Sequence, residues 1–211
     1  MPCGGRPEMH LNISNILDDA ILEHVSVIQA LSAQRSSLER IATEMTRAIL
    51  AGNKILWCGN GGSAADAQHL AAELVGRFKR ERPGIASIAI TTDTSILTAI
   101  GNDYGYEHVF SRQVEALCRK GDLIVGLTTS GNSKNVCAAL KMAGDLGAFT
   151  VAFTGESGGI AADISDTALR VASSQTARIQ EAHILCGHIL CDWVEACIVE
   201  NYGVTKGSQR A

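Results

Sequence analysis

Apolar residues recur along the chain at two different spacings, and each spacing predicts a different kind of element. From Ser14 to about Ala33 they return every three or four positions, as in an amphipathic helix. The segment Ser36–Glu39 resembles a capping box and predicts a second helix that runs through Leu50 and ends at Gly52. Residues 14–51 are therefore predicted to be two helices in sequence.

Short apolar runs follow, and polar turns and helical segments separate them. The predicted strands are 55–58, 85–90, 123–127, 150–153 and, more weakly, 167–171. The helices predicted after the second strand are 95–100, capped by Thr92 or Asp93, then 107–119, 134–146 and 176–201. Strands that alternate with helices form a parallel sheet covered on both sides. The predicted fold class is α/β, a flavodoxin-like sheet of about five parallel strands between helices, with two extra N-terminal helices.

The composition favours one globular domain in the cytoplasm. The chain has 211 residues, of which 46% are hydrophobic and 19% charged, and a net charge of −4, which argues against a nucleic-acid or anionic-membrane surface. No apolar run reaches about 18 residues and no signal peptide opens the chain, so no membrane partner is expected. Seven scattered cysteines without a CxxC spacing indicate reduced thiols.

The periodic patterns also predict where the folded part begins and ends. Residues 1–12 carry no pattern and are expected to be a disordered lead, and 203–211 a flexible polar tail. The domain between them, 13–202, is predicted to consist of a helical pair at 14–51 and an α/β core at 53–201.

A glycine-rich turn, Gly59–Ser63, joins the first strand to an alanine-rich helical segment. Three glycines in four residues allow positive φ values and a close approach of the backbone to a ligand. The start of the following helix favours an anion, and Ser63 is its expected cap. Since neither a Walker lysine nor a GxGxxG spacing is present, a small phosphate ester is favoured over a nucleotide. A tight connection without a ligand is the alternative for this turn alone.

A second polar turn, Thr128–Ser133, leads into the helix at 134–146. Its four hydroxyls and the backbone N–H groups of a helix start can hold a phosphate dianion without Lys or Arg, although an ordinary turn and cap cluster would look the same. Ligands of parallel sheets bind beyond the carboxyl ends of the strands. We therefore expect the turns 59–63, 101–105 and 128–133 to converge.

Two helices carry the residues suited to acid–base or metal chemistry. His69 and Glu73 are four residues apart and lie on one helix face. On the last helix, Gln180 and His188 differ by about 80° around the axis and about 12 Å along it. They can reach one small ligand only if it lies along the helix or if different subunits contribute. Glu181 is an alternative to Gln180.

Histidine is also common as a packing residue, and this applies to the last helix. His183 is expected to be a packing or surface histidine. For His188 taken alone, a buried hydrogen-bonded histidine is the alternative to a functional one.

Four motifs, in order, resemble the sugar isomerase (SIS) domain of phosphoheptose isomerases: CGNGGSAADAQHLAAEL, AIGNDYG, TTSGNSKNV and TARIQEAHILCGH. The likeness runs from about residue 15 to 200. It implies a single SIS domain in a homotetramer with active sites between subunits. The implied reaction converts sedoheptulose 7-phosphate to D-glycero-D-manno-heptose 7-phosphate for lipopolysaccharide or other heptose glycans.

The resemblance also implies the site residues. It assigns one Zn²⁺ per subunit to His69, Glu73, Gln180 and His188, and the acid–base roles to Glu73 and His188. Its substrate-binding positions are Asn60, Gly61, Gly62, Ser63, Glu73, Asn102, Asp103, Thr128, Thr129, Ser130, Ser133 and Gln180. Thr128 stands where other members often have Ser, and the hydroxyl is retained.

The chemistry of these side chains agrees with such a reaction. Moving a proton from C1 to C2 through an enediol needs a carboxylate base, an acid and stabilisation of the enediolate. Glu73 and His188 fit the base and the acid. Zinc accepts imidazole and carboxylate ligands, whereas a carboxamide ligand is unusual, and the absence of cysteine ligands fits a replaceable metal.

Two other functions are compatible with the same fold. Relatives that bind the bacterial replication initiator lack the Glu and the last His of the site, and this chain keeps both. Another sugar-phosphate isomerase or a sugar-phosphate sensor is the second alternative. Sensors of this kind usually carry a further module, for which no length remains here.

Overall fold

The fold was taken from a computed structural model, which describes residues 12–202. The helices are α1 (Ile13–Ala30), α2 (Arg35–Leu50), α3 (Gly62–Val75), α4 (Thr94–Asp103), α5 (Ser111–Leu117), α6 (Lys134–Asp145), α7 (Gly159–Ile164) and α8 (Thr176–Tyr202). The strands are β1 (Ile55–Gly59), β2 (Ser87–Ala89), β3 (Leu123–Leu127), β4 (Phe149–Thr154) and β5 (Thr167–Arg170). Most of the lead 1–12 and the whole tail 203–211 lie outside the described residues. Residue 12 belongs to the fold, because the Asn12 side chain accepts a hydrogen bond from the N–H of Ser14 and caps α1.

The five strands form one parallel sheet in the order β2-β1-β3-β4-β5. This is the flavodoxin-like order, and it confirms the predicted fold class. The order reverses between β1 and β3, which is where ligands bind in such sheets. The turns that follow β1 and β3 are the polar turns 59–63 and 128–133. Because β1 and β3 are neighbours in the sheet, these two turns lie side by side.

Helices cover both faces of the sheet, and the core consists of two hydrophobic clusters. Alternate residues of β1 divide between them, with Ile55 and Trp57 on one face and Leu56 and Cys58 on the other. The first cluster includes residues of α1, α2, α3 and α8, and the second includes residues of α5, α6 and α7. The N-terminal helix pair thus packs on the same side as α3 and α8.

Several predicted boundaries are wrong, and each error has a local cause. Ser36 does not begin a capping box, because a 3-10 turn at Leu31–Gln34 runs directly into α2 and leaves no free helix start. Residues 101–103 continue α4 rather than form a loop, while Asp93 caps that helix through the N–H of Ile96.

Two further segments differ from the prediction. The helix at 107–119 is a 3-10 turn, Tyr106–His108, followed by α5, and the buried Val109 and Phe110 stand between them. The short helix α7 was not predicted, because its glycine-rich sequence lacks an apolar period.

The helix α8, with 27 residues, is the longest element of the described chain. Within residues 12–202 it is the one helix whose length and composition would suffice to span a bilayer, and half of that apolar window is buried inside the domain. Its buried residues, among them Ile179, Leu190 and Val194, belong to the first core cluster. Burial of this kind explains the apolar composition without a membrane.

Candidate active site

The turns after β1 and β3 form the walls of one pocket. Its volume is about 300 Å³, and the loop Gly59–Ser63, the loop Thr128–Ser133 and the first turns of α8 surround it. The lining residues are Asn60, Gly61, Gly62, Ser63, Leu127, Thr128, Thr129, Ser133, Thr176 and Gln180. The predicted convergence is thereby confirmed for the turns 59–63 and 128–133, whereas no residue of 101–105 lines this pocket.

The start of α3 faces this pocket with free backbone donors. Gly61, at φ +55, is the residue before the helix, and its carbonyl accepts the N–H groups of Ala64 and Ala65. Among residues 12–202, no hydrogen-bond acceptor takes the N–H of Gly62 or of Ser63. Free N–H groups at a helix start bind anions. Ser63 is buried in the first turn and makes no cap hydrogen bond, so its predicted capping role is wrong.

Gln180 on α8 packs directly against the glycine loop. A Cβ at Gly62 would lie 2.5 Å from Nε2 and 2.8 Å from Oε1 of Gln180, so only glycine allows this approach. The Gln180 carboxamide is thus part of the pocket wall rather than of the outer surface.

Hydroxyls line the opposite wall. The Thr128 hydroxyl, which is buried, donates to the Ser133 hydroxyl at 3.0 Å and lies 3.4 Å from that of Ser130. The pocket therefore offers hydroxyl groups from one loop and backbone N–H groups from the other. Such an arrangement suits a phosphate group without a cationic side chain.

A second cluster lies where α3 and α8 meet. The Nε2 atoms of His69 and His188 are 2.9 Å apart, and His69 Nε2 is 3.3 Å from Glu73 Oε1. One ligand atom from each of these three residues lies within 4.8 Å of the others. The structure thus joins three of the four residues that the resemblance assigned to a metal, all from one chain.

The donor set of this cluster fits a zinc ion. Two imidazoles and a carboxylate are the ligands of many catalytic zinc sites, which leave a further position open. Imidazole nitrogens about 2.0–2.1 Å from a tetrahedral zinc lie roughly 3.3 Å apart. The 2.9 Å between His69 and His188 is close to this, and small side-chain rotations would reach it.

The surroundings of His188 favour its neutral form, which is the form that binds a metal. Burial lowers the pKa of His188, and the neighbouring His69 lowers it further. The ring of Phe78 stacks on the imidazole at 5.3 Å between centroids. Asp66, three residues before His69, has one carboxylate oxygen buried without a partner among the described residues, and burial raises its pKa.

The remaining predicted residues lie apart from this pocket and cluster. Asn102 and Asp103 are in the exposed last turn of α4 and hydrogen-bond to each other. Glu181 forms ion pairs with His24 and Arg178 and does not line the pocket, so Gln180 rather than Glu181 is the residue of α8 that faces the ligand. His183 is fully buried and contacts the Thr154 carbonyl at 3.2 Å, which makes it a packing histidine.

A buried carboxylate that the sequence reasoning missed holds the two helices together. Glu195 on α8 accepts the N–H groups of Phe78, Lys79 and Arg80 at 2.7–2.8 Å. Arg82, also buried, lies 3.3 Å from Glu195 and donates to carbonyls at the end of α3, including that of Glu73. The position of Glu195, seven residues after His188 on one helix face, was the available sequence signal.

Comparison with known proteins agrees with this geometry. The profile of the SIS domain matches residues 21–155. The phosphoheptose isomerase of Aquifex aeolicus is 60% identical over 160 residues, which are 76% of this chain and 84% of that protein. The one of Aliarcobacter butzleri is 54% identical over 172 residues, 82% of this chain and 91% of the relative.

Solved structures give the same result. The phosphoheptose isomerase of Neisseria gonorrhoeae, 44% identical, aligns with a TM-score of 0.83 over 88% of this chain and all of its own. That of Francisella tularensis, 34% identical, aligns with a TM-score of 0.85 over the same shares. This chain belongs to the SIS-domain family, among the phosphoheptose isomerases.

Proposed function

We propose that this protein is a ketose–aldose isomerase that converts sedoheptulose 7-phosphate to D-glycero-D-manno-heptose 7-phosphate. The observation that carries the proposal is the combination of an anion pocket with an acid–base cluster on the same two helices, α3 and α8. The identity to phosphoheptose isomerases over most of the chain supports this substrate. The product would enter the synthesis of ADP- or GDP-heptose for lipopolysaccharide or other heptose glycans.

The phosphate of the sugar binds in the pocket between the two turns. Gly61, Gly62 and Ser63 supply N–H donors from one side, and the hydroxyls of Thr128 and Ser133 face them. Asn60, Thr129 and Gln180 also line the pocket, and Ser130 lies beside Thr128. The sugar chain then extends along α8 towards His188.

Glu73 and His188 carry the proton transfers. The Glu73 carboxylate removes the proton from C1, while the neutral imidazole of His188 donates its ring N–H proton to the carbonyl oxygen at C2, and an enediol results. Return of the proton from Glu73 to C2 and transfer of the C1 hydroxyl proton to His188 give the aldose and restore both side chains. Both side chains lie in the cluster with His69.

One Zn²⁺ per subunit would be held by His69, Glu73 and His188. The two imidazoles and the carboxylate support this assignment. Gln180, the fourth ligand that the resemblance implies, lines the pocket about 12 Å along α8 from His188, so it would reach the ion from a neighbouring subunit. The ion supplies charge stabilisation to the enediolate oxygens.

The working form is a homotetramer in the cytoplasm with active sites between subunits. The helix α1 exposes a row of large apolar side chains, namely Ile13, Ile16, Leu17, Ile21, Leu22 and Val25, which favours burial against another subunit. Asn102 and Asp103 lie outside the pocket of their own chain, and this supports their contribution to a neighbouring site. The six cysteines of the described residues are free thiols, as the reducing cytoplasm favours.

The test is incubation with sedoheptulose 7-phosphate and supplied zinc, with product formation followed by NMR. We expect the aldose signal to appear, and in D₂O to carry deuterium at C2. Absence of turnover with zinc present would overturn the proposal. Ribulose 5-phosphate and fructose 6-phosphate serve as controls, and a clear preference for either would favour a different sugar-phosphate isomerase.

A further inference from the structure

Two asparagine side chains form a reciprocal pair beside the anion pocket. Asn60 belongs to the glycine loop, and Asn135 lies in the first turn of α6. Asn60 Nδ2 donates to Asn135 Oδ1 at 2.9 Å, and Asn135 Nδ2 donates to Asn60 Oδ1 at 2.8 Å. Asn60 lines the pocket, whereas Asn135 is only 3% exposed. The buried member of the pair therefore supports the member that faces the ligand.

A backbone group fixes which way both carboxamides point. The N–H of Val136 donates to Asn135 Oδ1 at 2.9 Å, and a backbone N–H can only donate. The oxygen of Asn135 is thereby assigned, and the group that faces it from Asn60 must be the NH₂. The orientation of the Asn60 carboxamide thus follows from the N–H of Val136, which can only donate a hydrogen bond.

This orientation determines what Asn60 offers to a ligand. Its oxygen accepts hydrogen bonds from Asn135 and, at 3.2 Å, from the Tyr106 hydroxyl, so both of its lone pairs are used. One N–H goes to Asn135, and within residues 12–202 no acceptor takes the other N–H. The remaining capacity of Asn60 is therefore one N–H donor.

We propose that Asn135 is a positioning residue, which holds Asn60 as a hydrogen-bond donor to an oxygen of the bound sugar phosphate. This inference rests on the proposed function for the identity of the ligand. The pairing and its direction rest on the contacts alone. Tyr106 is a second, weaker support of the same orientation.

Replacement of Asn135 by aspartate tests the pair with little change in volume. In Asn135→Asp one carboxylate oxygen still accepts the N–H of Val136, but the other faces the oxygen of Asn60 and repels it. We expect KM for the sugar phosphate to rise about tenfold, the loss of roughly one hydrogen bond, with a much smaller change in kcat. Asn201→Asp makes the same substitution at an exposed position near the end of α8, outside the pocket, and should leave KM within about twofold.

The double mutant separates positioning from a general structural effect. In an Asn60→Ala background the Asn135→Asp change should leave KM within about twofold, because the side chain that it positions is gone. An equal rise in KM in both backgrounds would overturn the proposal. Tyr106→Phe, at an exposed position that leaves folding intact, should raise KM about twofold in the wild-type background and not with Asn60→Ala. Equal effects of Tyr106→Phe in both backgrounds would likewise count against it.

The side-chain amide signals of Asn60 and Asn135 provide a readout that needs no isomerase activity. Hydrogen exchange of one amide proton on each should be slow in the wild type, and that of Asn60 should become fast in Asn135→Asp. Unchanged exchange would disprove the pairing even if turnover is found. A wild type without turnover but with the expected exchange would refute the proposed function and leave the pairing intact.

Discussion

The imidazole nitrogens of His69 and His188 stand 2.9 Å apart, although 119 residues separate them in the chain. Two helices on the same face of the sheet, α3 and α8, bring them together, and Glu73 completes the group one turn along α3. None of the three is fully buried, so the group is open to a ligand. The acid–base and metal roles proposed for these side chains depend on this contact.

Removal of the acid or the base should abolish turnover without loss of the fold. For Glu73→Gln and His188→Gln we expect kcat to fall at least about a hundredfold each, as for a lost general acid or base. The measurement is the NMR assay with sedoheptulose 7-phosphate. Asp145→Asn, at an exposed carboxylate at the end of α6, is the matched control and should retain the wild-type rate. Near-normal rates in either active-site variant would exclude that residue from proton transfer.

Chelation should remove activity that zinc then restores. We expect equilibrium dialysis to find one Zn²⁺ bound per wild-type chain, and much weaker binding in His69→Ala, which lacks one imidazole ligand. His108→Ala removes a histidine outside the group and should bind zinc as the wild type does. Equal zinc affinity of His69→Ala and the wild type would contradict the assigned ligands.

A methyl group at position 62 should disturb substrate binding more than folding. In Gly62→Ala the Cβ would meet Gln180 at 2.5 Å, while φ at this position is not in the left-handed region that alanine avoids. We expect Gln180 to move out of the pocket wall and KM to rise about tenfold or more, with the thermal midpoint changed little. Gly144→Ala, whose Cβ would find only an ordinary contact at 3.7 Å, is the control and should leave both unchanged.

Loss of the Glu195 charge should cost stability. Glu195→Gln leaves the buried Arg82 without its carboxylate, and about 3–5 kcal/mol of unfolding free energy should be lost in urea titrations at pH 7. Glu81→Gln, at an exposed carboxylate beside Arg77, should cost less than about 1 kcal/mol. A loss below about 1 kcal/mol for Glu195→Gln would mean that the Glu195 charge does not stabilise the loop at residues 78–80.

The same carboxylate predicts acid sensitivity. Burial alone would raise the pKa of Glu195, but the N–H groups of Lys79, Phe78 and Arg80 and the charge of Arg82 bring it below the ordinary 4.5. A carboxyl group whose pKa falls on folding stabilises the protein above its unfolded pKa, and this contribution is lost as the pH drops through the folded value. Below about pH 4.5 the wild type should therefore lose stability more steeply than Glu195→Gln.

His183 predicts a second pH effect at a milder acidity. Burial lowers the pKa of His183 from 6.5 to about 4. Between pH 6.5 and pH 4, therefore, the imidazole is protonated in the unfolded chain and neutral in the folded one. Stability should therefore fall as the pH drops from 6.5 to 4, by up to roughly 3 kcal/mol. In His183→Gln this part of the slope should vanish, and an unchanged slope in urea titrations across that range would disprove the assignment.

Subunit assembly should depend on the exposed row of α1. Replacement of Leu17 and Leu22 by serine should shift the proposed tetramer to smaller species in analytical ultracentrifugation, because their apolar surface would no longer favour burial. Ile164→Ser, at an exposed position of α7, is the control and should remain tetrameric. Intact tetramers in the Leu17 and Leu22 variant would remove α1 from the interface.

Sequence patterns predicted the strands better than the segments between them. The strand at 123–127 has the predicted bounds, because a buried parallel strand is an uninterrupted apolar run. The start of α2 was mispredicted because Ser36 lies within a continuous helical path rather than at its beginning. The short helix α7 gave no periodic signal at all.

The site could be predicted in its residue types but not in its arrangement. Spacing paired His69 with Glu73 on one helix, yet only the packing of α3 on α8 brings His188 to them. The roles of Asn135 and Glu195 escaped notice because they depend on partners distant in sequence. Asn135 pairs with Asn60 after β1, and Glu195 accepts N–H groups from residues 78–80. A side chain that acts through a contact distant in sequence cannot be read from its own neighbourhood.

The unbroken helix α8 carries Gln180 in the pocket wall and His188 in the histidine cluster. Eight residues of helix separate the backbones of Gln180 and His188 by about 12 Å along the axis. This distance sets the length of the sugar phosphate that can reach both the pocket and the cluster. A shorter sugar, anchored by its phosphate at one end, would leave its carbonyl short of the reacting groups. Pentose phosphates should therefore compete with the natural substrate for binding but turn over far more slowly, and equal turnover would show that chain length is not measured here.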